Sequence, residues 1–125
     1  MRVLLINRND FVDGGADTVF LNTVEMLKGS RVEKLVVDSF SRADVGDMIS
    51  ENPRDLGLWD KIKHVRNYLY NPAVSKALEK KVLEFKPDVA HIHLVFGTLS
   101  LSVLSVLKKL GVPMVMTVHD YRLVC

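Results

Sequence analysis

The run Arg2-Val3-Leu4-Leu5-Ile6-Asn7, followed within ten residues by Asp13-Gly14-Gly15-Ala16-Asp17 and then a helical pattern, decides how the rest of the chain is read. Four consecutive apolar residues predict a strand buried on both faces, as in a parallel sheet. Ala16, Val19, Phe20, Val24 and Leu27 recur at helical spacing, which predicts a helix over 16–28 with Gly29 as its C′ residue. Between them, the glycine pair makes a turn into a helix start. There the free backbone N–H groups and the positive end of the helix dipole favour an anion. Glycine would let a phosphate or sugar approach the backbone closely. A tight turn with no ligand is the plainer account of the same pair.

Working outward, Leu35-Val36-Val37 is a second short strand, so the first third of the chain reads as a βαβ unit with a right-handed crossover. Residues 39–58 are irregular and suggest a loop around a short helix. Trp59, Ile62, Val65 and Leu69 mark a helix stripe, with Lys61, Lys63, His64 and Arg66 on its other faces. Those basic residues would allow weak peripheral contact with anionic lipid. They are few, and an ordinary half-buried helix with a solvated face explains them better. Pro72 opens the next helix, Val74, Ala77, Leu78, Val82 and Phe85 face its core, and Pro87 stops it. Asp88-Val89-Ala90-His91-Ile92-His93 is a third strand, 99–110 an apolar helix closed by Gly111, and 113–118 a fourth, buried strand. The expected fold is α/β: a Rossmann-like open parallel sheet with helices on both faces. Nothing after residue 120 reads as a helix covering the fourth strand, so the reading expects an exposed sheet edge, a truncated domain and self-association through that edge.

Composition narrows the function. A length of 125 residues allows one domain, and 48% hydrophobic with 26% charged residues is globular rather than disordered. A net charge of +2 without a dense basic tract argues against nucleic acid. The one cysteine, Cys125, permits no internal disulfide. With neither a signal peptide nor an apolar run of membrane-spanning length, the expected location is the cytoplasm, with at most peripheral membrane contact. Neither a Gly-x-Ser-x-Gly elbow, nor a Gly-x-x-x-x-Gly-Lys loop, nor a Gly-x-Gly-x-x-Gly fingerprint occurs, which disfavours a hydrolase of that type, a P-loop ATPase and an NAD-binding module.

In a doubly wound sheet, ligands gather beyond the carboxyl ends of the strands. Three polar features fall there: the Gly14-Gly15 turn, His91 and His93 at the end of the third strand, and His119-Asp120 after the fourth. His91 and His93 are two apart and share a face. A metal would need a third ligand such as His119, and the spacing is not a recognised ligand motif, so no metal is expected. His119 could bond a substrate hydroxyl or phosphate, or transfer a proton near neutral pH. It could equally cap the sheet edge.

Taken together, Val3-Leu4-Leu5-Ile6-Asn7 with Gly14-Gly15-Ala16-Asp17, Lys86-Pro87-Asp88-Val89-Ala90-His91-Ile92-His93, and Pro113-Met114-Val115-Met116-Thr117-Val118-His119-Asp120-Tyr121 resemble the N-terminal domain of family 4 glycosyltransferases. The family often carries Glu where this chain has Asp17. The resemblance implies a GT-B enzyme whose second domain, absent from these residues, holds most of the donor nucleotide. It implies a sugar transferred from a nucleotide diphosphate to an acceptor hydroxyl on a glycan, lipid or small molecule, with retention of configuration and no cofactor or metal. By the motif matches, Gly14 and Gly15 would lie at the donor diphosphate and His119 at the donor sugar as the catalytic group. His93 and Asp120 are the further cleft candidates. The 125 residues alone are expected to be nearly inactive. Two rivals remain: a stand-alone α/β binding or interaction module, and a small phosphate-ester enzyme using His119 as acid–base group.

Overall fold

A computed structural model describes residues 1–30, 35–45, 66, 69–96 and 99–119. Four strands, β1 (Arg2–Ile6), β2 (Val36–Phe40), β3 (Val89–Ile92) and β4 (Met114–Met116), form one parallel sheet in the order β2-β1-β3-β4. Helix α1 (Gly15–Lys28) follows β1, α2 (Pro72–Phe85) precedes β3, and α3 (Ser102–Lys109) lies between β3 and β4.

Alternation along the strands sorts the core into two layers. Val3 and Leu5 turn to α1 and meet Phe20, with Leu21, Val24, Leu27 and Val37 around them. Leu4, Ile6, Phe40, Ala90 and Ile92 turn the other way and pack with Val74, Leu78 and Val82 of α2 and Val103 and Leu107 of α3. The open parallel sheet covered on both faces is therefore as the sequence predicts, and it is the Rossmann-like arrangement. The chain runs from β1 outward to β2, then returns past β1 to β3. The order reverses between β1 and β3, and in open parallel sheets ligands bind beyond the carboxyl ends of the strands at such a reversal.

Several boundaries differ from the sequence reading, each for a local reason. The stripe of α1 passes through Asp17, 1% exposed, while Val19 is 45% exposed. The Asn7 amide and the Asp13 N–H donate to the buried Asp17 carboxylate, so the helix is rotated from the apolar phase expected. Gly29 ends α1 at φ −80°, without a left-handed turn. Strand β2 runs on to Phe40 instead of stopping at Val37, because β1 pairs with it residue for residue from Arg2–Val36 to Ile6–Phe40. Its polar Asp38 is tolerated through Lys81 Nζ at 2.8 Å. Of the helix expected over 59–70, Arg66, Leu69 and Tyr70 are described; Leu69 is exposed, where the chain leaves the helix for the Asn71 cap. The rest of that helix, and most of 39–58, lie outside the described residues.

Helix α2 begins and ends where its prolines and apolar spacing place it. Asn71 caps it, Oδ1 accepting from Ala73 N–H at 3.0 Å and Val74 N–H at 3.4 Å. Helix α3 starts at Ser102 rather than Leu99, because Ser100 takes a left-handed φ of 64°. The turn is fixed by Ser100 Oγ, which accepts from Asn71 N–H at 3.2 Å and bonds Ser102 Oγ at 2.6 Å. Gly111, at φ 69°, closes α3 as expected. The fourth strand is shorter than 113–118 and is not buried: Met114 is 41% and Val115 56% exposed, since β4 lies at the sheet edge with β3 as its neighbour.

Candidate active site

Helix α1 starts beyond the carboxyl end of β1 without a side-chain cap. Gly14 is the N-cap residue and provides no side-chain cap; Gly15 is the first helical residue. The first N–H groups of a helix have no partner within it. Glycine here is required neither by conformation nor by packing. Gly14 has an extended backbone (φ −174°), and a Cβ on either glycine would have no heavy atom within 4 Å. Chain sterics alone would admit a side chain at both positions.

A buried polar clamp holds the loop that leads into this turn. Asn7, the residue after β1, is fully buried, and its Nδ2 donates to Asp17 Oδ1 at 2.8 Å and to the Asn9 carbonyl at 2.9 Å. The second carboxylate oxygen of Asp17 accepts from the Asp13 N–H at 3.2 Å. Asp17 thus ties the strand end to the residue just before Gly14. Where the related motif often carries Glu, the shorter Asp reaches inward to both partners. Sequence reasoning passed over Asn7 and Asp17 as functional residues. The signal was a carboxylate standing on the apolar stripe with Phe20, Leu21 and Val24, and an asparagine directly after an apolar strand.

Three imidazoles gather at the carboxyl ends of β3 and β4. His91 and His93 share the α1 face of β3, as their spacing predicts, with ring centroids 4.4 Å apart. His93 is 4% exposed, with Phe20 of α1 edge-on to its ring at 5.5 Å. His119 follows β4, is half-buried, and stacks on His93 at 5.3 Å with ring planes 22° apart. His93 Nδ1 and His119 Nε2 are 3.1 Å apart, and His91 Nε2 lies 2.8 Å from Thr117 Oγ1. Burial, then the neighbouring His91 and His119, push the His93 pKa down to about 4. Burial and then His119 also lower that of His91. Protonated imidazoles so close would repel one another without water to screen them, so His91 and His93 are neutral near neutral pH. The nitrogens bond in pairs rather than converging on a point. Among the described residues no three histidines, cysteines or carboxylates form a metal-binding group.

The structure therefore places Gly14, Gly15, His93 and His119 beyond the carboxyl ends of parallel strands, at one edge of the sheet. Asp120 lies outside the described residues. The chain matches the model of Glycosyltransferase Family 4 over residues 13–123, from the glycine turn to beyond His119. It belongs to glycosyltransferase family 4. No curated protein and no solved structure gives a significant match. Membership of the family gives the chain a glycosyltransferase-type function in general, with a sugar donor and an acceptor as substrates. Among the described residues no helix is long and apolar enough to cross a membrane.

Proposed function

We propose that this family 4 domain takes part in transfer from a nucleotide diphosphate sugar to an acceptor hydroxyl. In this reading the backbone N–H groups at Gly14 and Gly15 meet the leaving diphosphate, and His119 sits at the donor sugar. The supporting observation is the glycine pair at the uncapped helix start. Nothing in the surrounding chain excludes a side chain there, whereas a ligand bonded to the backbone would. Fixed N–H groups aimed at developing negative charge are the kind of preorganised stabilisation that supplies much of an enzyme's rate. The bond from anomeric carbon to diphosphate oxygen breaks, and the acceptor oxygen takes the carbon while releasing its proton. Retention of configuration and independence of metal and cofactor belong to the same proposal on the strength of the resemblance. So does a second domain that holds the nucleotide and completes the cleft. On that view the 125 residues alone turn over far more slowly than a protein carrying both halves.

Gly15→Ala tests the reading because its two effects have opposite signs. Alanine is the better helix former and has room, so stability should hold or rise by about 0.5–1 kcal/mol. The added methyl would hold the diphosphate off the backbone, raising donor KM or lowering kcat by roughly tenfold or more, the equivalent of one lost charge-assisted hydrogen bond. Steady-state kinetics over a panel of nucleotide sugars, with a thermal melt of the same variant, would read both. Unchanged kinetics in a stable variant would sink the glycine assignment.

A further inference from the structure

The loop that enters the glycine turn is dense in charge. Between Asn7 and Asp17 stand Arg8, Asp10 and Asp13, and Arg8 is the single basic side chain of that stretch. The Asp17 carboxylate is turned inward, 1% exposed, onto the Asn7 amide and the Asp13 N–H. The Asp13 carboxylate is exposed and accepts from Arg8 Nη2 at 3.2 Å. Arg8 is anchored through its backbone, its carbonyl accepting from the Arg42 N–H at 3.1 Å, and is half-buried.

This ion pair fixes where the guanidinium stands. Asp13 directly precedes Gly14, and consecutive Cα atoms are about 3.8 Å apart, so an anion on the Gly14 and Gly15 N–H groups would have the Arg8–Asp13 pair as its neighbour. A carboxylate so placed repels that anion, while the helix start offers only about half a unit of positive charge. His91 and His93, neutral near neutral pH, do not offset it. Stability gives little reason for the arginine, because water screens an exposed ion pair and two side chains must be ordered to form it. A guanidinium has five N–H donors, so one bond to Asp13 does not exhaust it.

We propose that Arg8 is a side-chain contact of the leaving diphosphate: its guanidinium, stationed on Asp13 beside the uncapped start of α1, bonds one diphosphate oxygen while the Gly14 and Gly15 N–H groups bond others. This inference rests on the place given to the glycine turn above. When the bond from anomeric carbon to diphosphate oxygen breaks, both electrons stay with the oxygen and the diphosphate gains one negative charge. A fixed cation beside it therefore stabilises the transition state more than the bound donor. Asp13 plays the opposing part. It holds the guanidinium at the turn before the donor arrives, and competes with the diphosphate for it.

Inorganic pyrophosphate, titrated into the ¹⁵N-labelled protein at constant ionic strength, tests the contact without turnover, the Gly14 and Gly15 amide shifts giving the affinity. Arg8→Gln should weaken binding roughly tenfold or more, the equivalent of one lost charge-assisted hydrogen bond, with the melting temperature nearly unchanged. Asp13→Asn removes the competing carboxylate, so binding should be at least as tight as in the parent. The double variant should stay weak. Equal affinity in Arg8→Gln and the parent would overturn the proposal and leave the glycine assignment standing. Equal weakening by Asp13→Asn and Arg8→Gln would mean that the ion pair merely braces the loop. Recovery in the double variant would mean that Arg8 only screens Asp13. Either result overturns the contact. Unmoved Gly14 and Gly15 amides in the parent would be a different failure, that of the glycine turn as a diphosphate site, and the Arg8 contact would fall with it.

Discussion

His119 illustrates how a side chain can be read for a role beyond stability. Its ring stacks on His93 and bonds it at one nitrogen, yet it is half-buried, outside both apolar layers. Removing it should therefore cost little packing. In the intact enzyme, His119→Ala is expected to lower turnover by roughly ten- to a thousandfold, as for one positioned polar group, with the fold retained. Turnover and thermal midpoint measured on one preparation separate the alternatives. Full activity with a lowered midpoint would make His119 a structural cap of the sheet edge. Asp17 is a residue of the other kind. Its carboxylate is buried in bonds to Asn7 and Asp13, so its part is to hold the glycine loop in place.

At the scale of elements, punctuation residues were legible and pairing was not. Pro72, Pro87 and Gly111 bounded their helices because each acts through its own backbone: no N–H to lose at a helix start, a clash that ends the helix, a free left-handed turn. The start of α3 differs from the apolar pattern because the Ser100 turn is held by its own Ser102 and by a partner 29 positions away, the N–H of Asn71, which apolar spacing does not encode. The end of β2 was misread because β1, not its own apolar run, sets its length. The Asn71 junction gives a prediction at this scale. Asn71 Oδ1 caps two N–H groups of α2, while the Asn71 backbone joins the Ser100 and Ser102 hydroxyls. Asn71→Ala removes the cap and leaves the backbone bonds. It should cost about 1–2 kcal/mol, visible as a lower urea midpoint at unchanged slope. A change below a few tenths of a kcal/mol would mean that Pro72 and the Ser100 turn position the helix start without the side chain.

For the molecule as a whole, fold class and the edge that bears the site followed from the alternation of apolar strands and helical stripes, since that pattern admits few topologies. The Asn7–Asp17 clamp and the His93–His119 bond did not, because the first depends on how the loop after β1 folds back on α1 and the second on β3 and β4 being neighbours, neither of which periodicity encodes. Burying that polar cluster makes global stability depend on pH. His93 titrates at about 4 in the folded chain and near its ordinary 6.5 when unfolded. Between those values the unfolded chain binds the extra proton, so stability falls as pH drops through that window and no more is lost to this group below it. The loss between about pH 7 and pH 5 should be about 2 kcal/mol from His93, and the lowered His91 acts in the same direction. Asp38 does not contribute there. Burial would raise its pKa, but the bonds from Lys81 and the Ser39 N–H bring it below the ordinary 3.8, so its stabilisation persists until more acidic pH. Urea midpoints of the intact protein and of His93→Gln, followed from about pH 7 to pH 5, test the assignment. The variant should start less stable, having lost the ring against Phe20, and should then lose markedly less on acidification. Parallel curves for the two proteins would show that His93 gains its proton as readily folded as unfolded, and that acid sensitivity arises elsewhere in the chain.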